Sequence, residues 1–225
     1  MEIHGLKLID LAILYKKTLI ICDVHIGYEE ALNKQGLLLP RIHFKEQVKR
    51  MKDIMEKADF DRIVINGDLK HEFGTISRTE WRNTLKFLDL FGDKEIILVK
   101  GNHDNIMGPI AKKRNLRLAD HYIMDDVLIC HGDRIIKDKA GTIIIGHEHP
   151  AASIRDSIRN ERYKCYLIGK YRRKNLIVQP SFNLVTTGTD VLNEKLLSPY
   201  LDDIDDFRVI VVEDKLYDFG RVKDL

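Results

Sequence analysis

Thr18-Leu19-Ile20-Ile21-Cys22-Asp23-Val24-His25 joins a run of apolar residues to a carboxylate and an imidazole two positions apart. A run of that length reads as a strand buried on both faces. The construction recurs downstream. Arg62-Ile63-Val64-Ile65-Asn66 leads into Gly67-Asp68, and Glu95-Ile96-Ile97-Leu98-Val99 into Gly101-Asn102-His103-Asp104. Val127-Leu128-Ile129-Cys130 leads into His131-Gly132, and Thr142-Ile143-Ile144-Ile145 into Gly146-His147-Glu148-His149. In an open α/β sheet, ligands gather outside the carboxyl ends of the strands. The repeated strand-then-ligand order therefore predicts a metal site, of catalytic kind, at one sheet edge.

The rest of the chain supplies partners for these strands. Leu11–Tyr15 and Thr18–Cys22 pattern as a hairpin turning at Lys16-Lys17. Pro40 is expected to open a helix in which Phe44, Val48, Met51, Met55 and Ala58 recur on one face, so its methionines are core packing. A second helix is expected from about Ser77 to Leu90, with Trp81, Leu85 and Leu88 inward, and a short third between Ile106 and Asn115. From Asp120 onward strands dominate, with hairpins at Asp125-Asp126, across 170–175 and at Glu213-Asp214-Lys215. Residues 186–207, with the acidic run Asp202–Asp206, are expected to be the least regular and partly mobile. No repeat or linker divides the chain, so the pattern predicts one domain over 1–225. Its fold class is α/β, with two packed mixed β-sheets flanked by helices in a four-layer αββα sandwich.

Composition narrows the functional classes. With 225 residues, 44% hydrophobic and 32% charged, the chain can bury a sizeable core, and a net charge of +2 neither demands nor excludes an anionic partner. No signal peptide or apolar stretch of membrane-spanning length is apparent, so a cytoplasmic location without membrane association is expected. The odd cysteines Cys22, Cys130 and Cys165 lie in strand patterns and read as small buried hydrophobes. The abundance of Ile, Lys and Glu would also suit a heat-adapted protein.

Asp23 and His25, two apart at a strand end, are expected on one side of the pleat, and His147 and His149 repeat that spacing. Asp68 after Gly67 is placed to bridge two cations. A mixed imidazole, carboxylate and amide set suits manganese, with iron, zinc, cobalt and nickel also compatible, better than calcium or magnesium alone. There are too many donors for one tetrahedral zinc.

Asp-x-His, Gly-Asp, Gly-Asn-His-Asp, His-Gly and Gly-His-x-His, in this order from Asp23 to His149, resemble the calcineurin-like metallophosphoesterase superfamily. The resemblance implies a dinuclear hydrolase of phosphate esters. Asp23, His25 and His149 would hold one divalent cation, Asn102, His131 and His147 the other, and Asp68 would bridge them. A water shared by the cations would attack phosphorus, with His103 handling charge or the leaving-group proton and Asp104 orienting its ring. His71, three residues after Asp68, is similar to a histidine of the nuclease-related branch, among small archaeal and DNA-ligase-associated phosphoesterases. The alternative for His71 is a loop histidine without a role.

The implied substrate class is a phosphodiester of DNA, RNA or nucleotides, with monoester or protein phosphatase activity as the alternative. A non-catalytic scaffold, like the retromer subunit of similar fold, is a further alternative that the full ligand set argues against. A homodimer is compatible with the pattern. His4, His43 and His121 match no ligand pattern. Asp133 and Glu148 read either as supports for the ligands or as exposed groups. Arg162, Lys164, Lys170, Arg172, Arg173 and Lys174, interleaved with Tyr163, Tyr166 and Tyr171, read as a solvated hairpin before a nucleic-acid track.

Overall fold

The computed structural model describes residues 1–72, 76–104, 107–155 and 160–225. Among them, a first sheet runs in the order β1 (Glu2–Ile3), β2 (Leu6–Ile9), β3 (Ala12–Tyr15), β4 (Thr18–Cys22), β5 (Arg62–Asn66), β6 (Glu95–Val99), β7 (Arg117–Ala119). It is antiparallel up to β4 and parallel from β4 to β7. The second sheet contains β8 (Tyr122–Met124), β9 (Val127–Cys130), β10 (Thr142–Ile145), β11 (Pro150–Arg155), β12 (Asn160–Tyr171), β13 (Lys174–Val178), β14 (Thr189–Asp190), β15 (Arg208–Val212) and β16 (Leu216–Arg221). Within it, β9, β10 and β13 are parallel neighbours. The architecture is two mixed sheets with flanking helices, as expected, and the five apolar runs are strands with the bounds that the pattern predicts.

The sheets meet through alternation. Ile129, Ile144, Tyr166, Ile168, Ile177 and Ile210 join a core shared with the first sheet, while their neighbours Leu128, Ile143, Cys165, Leu167, Leu176 and Val209 face the opposite side. That is the period-two signature of a strand. The first sheet's β4 and β5 are buried on both faces, which is why their runs are continuously apolar. On the far side of the second sheet, Val191, Tyr200, Leu201, Ile204 and Phe207 close the core. Residues 186–207 are thus irregular in backbone, as expected, but packed rather than loose.

Helices α1 (Tyr28–Lys34), α2 (His43–Glu56), α3 (Arg78–Leu88) and α4 (Gly108–Arg114) complete the first layer. The periodicity did not announce α1. Pro40 does not open α2; that helix starts at His43, whose N–H is received by the Glu29 carboxylate of α1 at 2.9 Å, so a tertiary contact sets the start. Ser77 caps α3, accepting the Glu80 N–H at 3.0 Å. Ile106, the expected first residue of the third helix, lies outside the described residues. The basic hairpin is also tighter than expected: β12 runs on to Tyr171 and turns over Arg172-Arg173 alone.

Polar clips cross between the sheets. Gln179 donates to the carbonyls of Leu11 and Ile20, both at 2.9 Å. Asn66 donates to Cys130 O at 2.9 Å, and the Tyr166 hydroxyl reaches Asp10 O at 2.8 Å and Ala12 O at 3.0 Å. These groups give main-chain carbonyls of one sheet's side a donor from the other. Tyr166→Phe should therefore destabilise the protein by about 1–2 kcal/mol, because buried carbonyls lose a donor with little change in volume. Urea unfolding checks this, and an unchanged midpoint would contradict it.

Candidate metal centre

The ligand-bearing turns lie just past the ends of β4, β5, β6, β9 and β10. Asp23 (φ 50°), His25 (φ 47°), Asp68 (φ 47°), His147 (φ 63°) and His149 (φ 50°) all have left-handed backbone. Each such residue costs on the order of 1 kcal/mol, and strain of this kind concentrates at functional sites. It also corrects the pleat argument. Strand β4 ends at Cys22, so Asp23 and His25 converge through successive left-handed turns rather than through strand alternation. Adjacent loops hold the turns: Asp23 N donates to Gly67 O at 3.1 Å and His25 N to Asp68 O at 2.9 Å. Gly67 has φ +82°, and a side chain there would press a carbon to 2.0 Å from Nδ1 of His131.

Asp23 and Asp68 share one design. Each gives one oxygen to a backbone amide of another loop and turns the second toward imidazoles. Asp23 Oδ2 accepts His147 N at 3.0 Å, while its Oδ1 stands 3.5 Å from His131 Nδ1 and 3.5 Å from His149 Nε2. Asp68 Oδ1 accepts His103 N at 2.9 Å; its Oδ2 stands 3.6 Å from His25 Nε2, 3.5 Å from His131 Nε2 and 3.9 Å from His103 Nε2. Asn102 Oδ1 is 2.9 Å from His131 Nε2, and His147 Nδ1 is 3.2 Å from that same nitrogen. His25 and His149 face each other at 3.3 Å. All the expected ligand residues thus meet at one edge.

Two of these donor atoms have no hydrogen-bond partner among the described residues although buried: Asp23 Oδ1 and His131 Nδ1. A buried carboxylate oxygen and a ring nitrogen left unpaired are costly unless a cation joins them. Asp23, His25 and His149 form one group able to hold a metal ion, and Asp23, Asp68 and His131 another. A third group, His25, His71 and His103, contains both histidines that the sequence pattern set apart from the ligands. The residues present fit divalent cations.

The electrostatics point the same way. Burial and the charge of Asp23 push the Asp68 carboxyl up to about 9. Burial also opposes ionisation of Asp23, but His149, His131 and His25 outweigh it and hold Asp23 below the usual carboxylate range. Burial lowers His147 and His71 to about 4, and His25, His103 and His131 shift down for the same reason. At neutral pH these five rings are uncharged, the form in which an imidazole can ligate.

Asp104 does not orient the His103 ring as expected. Its oxygens accept Leu69 N at 3.1 Å and Gly101 N at 3.0 Å, which ties the β5 and β6 loops together. The His71 carbonyl, 2.5 Å from His103 Nδ1, takes that place. His71 itself is at the centre: its Nδ1 is 3.4 Å from His25 Nδ1, and its ring stacks on Tyr28 with centroids 4.0 Å apart. Glu148 is fully buried and points away from the cluster, accepting Leu197 N at 2.7 Å and Ser198 N at 2.9 Å, whereas Asp133 is exposed.

The aromatic track does not form. Tyr166 is buried, Tyr171 packs on Tyr200, and Lys164 turns inward to Ser181 Oγ at 2.7 Å, its ammonium lowered to about 7 by burial. Cys22 and Cys130 point away from the cluster, toward Pro180 O and the Tyr200 hydroxyl. Among the described residues no helix is long and apolar enough to cross a membrane.

Residues 16–188 match the family model of the calcineurin-like phosphoesterases, and the chain belongs to that family. It is a hydrolase of phosphate esters. Among solved structures, the fold is similar to that of the Pseudomonas putida nuclease MPE, at 17% identity and a TM-score of 0.70, covering 93% of this chain and 92% of that one. The E. coli phosphoesterase YfcE aligns at 12% identity and a TM-score of 0.48 over 91% of this chain and 97% of that one. No curated protein matches the chain.

Cation binding has a measurable proton signature. With the Asp68 carboxyl at about 9 in the folded protein against an ordinary 3.8, the metal-free fold holds a proton there that the unfolded chain has lost. This group therefore lowers metal-free stability as pH rises from about 4 to about 9. Cations must displace that proton, so binding at pH 7 should release it, about one proton per chain beyond any that bound water loses, and this Asp68 contribution should fall away above pH 9. Calorimetry in buffers of different ionisation enthalpy checks this; binding at pH 7 with no proton release would contradict it.

Proposed function

We propose that the protein is a dinuclear metal-dependent phosphodiesterase acting on nucleic acid or nucleotides, as a single domain over 1–225. The observation that carries this reading is the paired design of Asp23 and Asp68, each with one oxygen fixed by an amide and the other aimed among imidazoles. Asp23, His25 and His149 would hold one cation, Asn102, His131 and His147 the second, with Asp68 between them. Manganese fits the mixed donor set, and iron, zinc, cobalt or nickel would serve the same groups. When bound, such cations supply a nucleophile from water at neutral pH and offset phosphoryl charge.

His103 is the proton-handling group in this reading. Its Nδ1 faces the His71 carbonyl, so Nε2 is the nitrogen turned toward Asp68 and the substrate position. A ring fixed in this way can stabilise charge on a phosphoryl oxygen or protonate the leaving oxygen. His71 lies alongside, partly exposed, with its ring stacked on that of His103.

Two observations favour a diester over a monoester. The similar fold of a nuclease, and the place of His71 beside His25 and His103, support the nuclease-related, DNA-ligase-associated reading over a phosphatase.

The test is parallel turnover of metal-loaded protein on bis-p-nitrophenyl phosphate, p-nitrophenyl phosphate, single-stranded DNA and cyclic nucleotides. Diester hydrolysis should dominate, and activity on the monoester alone would overturn the substrate class. In the same assay His103→Ala should keep its metals and lose about 10²–10⁴-fold in kcat, the scale of a lost general acid. Normal turnover by that variant would remove His103 from the chemistry.

A further inference from the structure

Glu80 lies outside the cation cluster and yet is built into it. It sits in the first turn of α3 and is 1% exposed. Its spacing from Ser77 is that of a capping box, in which the glutamate would return to the Ser77 amide. Only half of that box forms. Ser77 Oγ accepts the Glu80 N–H, but Glu80 Oε1 accepts the N–H of His71 at 2.9 Å and of Glu72 at 3.0 Å. Oε2 is buried without a hydrogen-bond partner among the described residues, and burial raises the carboxyl above its ordinary value. Gly27 lies against this side chain; a β-carbon there would come within 2.9 Å of Oε1. A carboxylate is thus kept buried where a helix cap alone does not require it.

The Glu72 N–H and the His71 carbonyl belong to one planar peptide. Its N–H end is held by Glu80, and its carbonyl end is 2.5 Å from Nδ1 of His103. Fixing one end of a rigid plane aims the other, and a charged acceptor on the N–H strengthens the carbonyl as an acceptor. The His71 N–H is shared with Ile26 O at 3.0 Å, and the Lys70 ammonium is received by Glu72 O, so the backbone on both sides of this peptide is tied down as well.

We propose that Glu80 is a positioning residue for His103: through the His71–Glu72 peptide it holds the imidazole with Nδ1 as donor and Nε2 toward Asp68. The proposal rests on the reading of His103 as the group that handles the proton. A histidine whose outer nitrogen is fixed in this way keeps one tautomer and one ring orientation. Glu80 touches neither substrate nor cation and acts through the peptide alone.

The test compares Glu80→Gln, whose side-chain oxygen can still accept both amides, with Glu80→Ala, which removes the acceptor. In metal-free protein, nitrogen–proton correlation spectra should show His103 protonated at Nδ1 in the wild type and in Glu80→Gln, and a mixture of tautomers in Glu80→Ala. In metal-loaded protein, Glu80→Ala should lose about 10–100-fold in kcat on bis-p-nitrophenyl phosphate, the scale of a lost supporting hydrogen bond. KM and metal content should stay unchanged, and Glu80→Gln should restore most of the rate. If Glu80→Ala does not fold, Glu80→Asp, too short to reach both amides, takes its place with the same expectations. An unchanged His103 tautomer in the variant lacking the acceptor, or a rate loss matched by metal loss, would overturn the proposal. Failure of the catalytic reading is distinguishable: wild-type protein would then be inactive while the tautomer still responded to Glu80.

Discussion

Asp23 and Asp68 stand together in a space almost closed to water, and everything at this edge of the molecule is arranged around that fact. Two carboxylates so placed cannot both carry charge without a positive partner. In the protein alone they divide the charge: Asp23 is ionised and Asp68 keeps its proton. One oxygen of each is anchored by an amide from another turn, Asp23 by His147 and Asp68 by His103. The amide from His147 links the two sheets directly at the cluster. The carboxylates therefore tie the loops together while their second oxygens stay turned toward the imidazoles.

The fold serves this arrangement. Parallel strands β4 to β6 of one sheet and β9 to β10 of the other end at the same edge, so five turns deliver donors to one place. Apolar alternation packs the sheets, and the buried amide and hydroxyl clips of Gln179, Asn66 and Tyr166 fix their separation. The left-handed turns at Asp23, His25, Asp68, His147 and His149 are the local cost of pointing side chains out of the edge. Glu80 and Glu148, both buried, extend the support outward from the imidazoles to α3 and to residues 197–198.

Much of this was legible in the sequence because its signal is local. The five central strands are continuous apolar runs, and a strand buried on both faces leaves that mark whatever its partners. The carboxylate, imidazole and amide side chains that meet at this edge, and their places at strand ends, were equally readable. What was not legible depends on contacts between distant residues. Helix α1 is short and weakly patterned, and α2 begins where Glu29 caps it rather than at Pro40. Lys164 and Tyr166 look like part of a basic, aromatic surface because strand alternation does not say which face another sheet will cover. Asp104 follows His103 in sequence, but its carboxylate turns back to Gly101 and Leu69, and a main-chain carbonyl that carries no sequence mark takes its expected role. Glu80 is visible only as half of a capping box.

In the proposed site, two cations sit at this edge with Asp68 between them. Metal content measured by elemental analysis, after equilibration with manganese and removal of free ion, tests it most directly. About two manganese ions per chain are expected in the wild type and no more than about one in Asp68→Asn, with the fold retained, since a two-metal site depends on the ligand that both ions share. A wild-type protein that binds one ion or none at saturation, or an Asp68→Asn variant that still binds two, would contradict it.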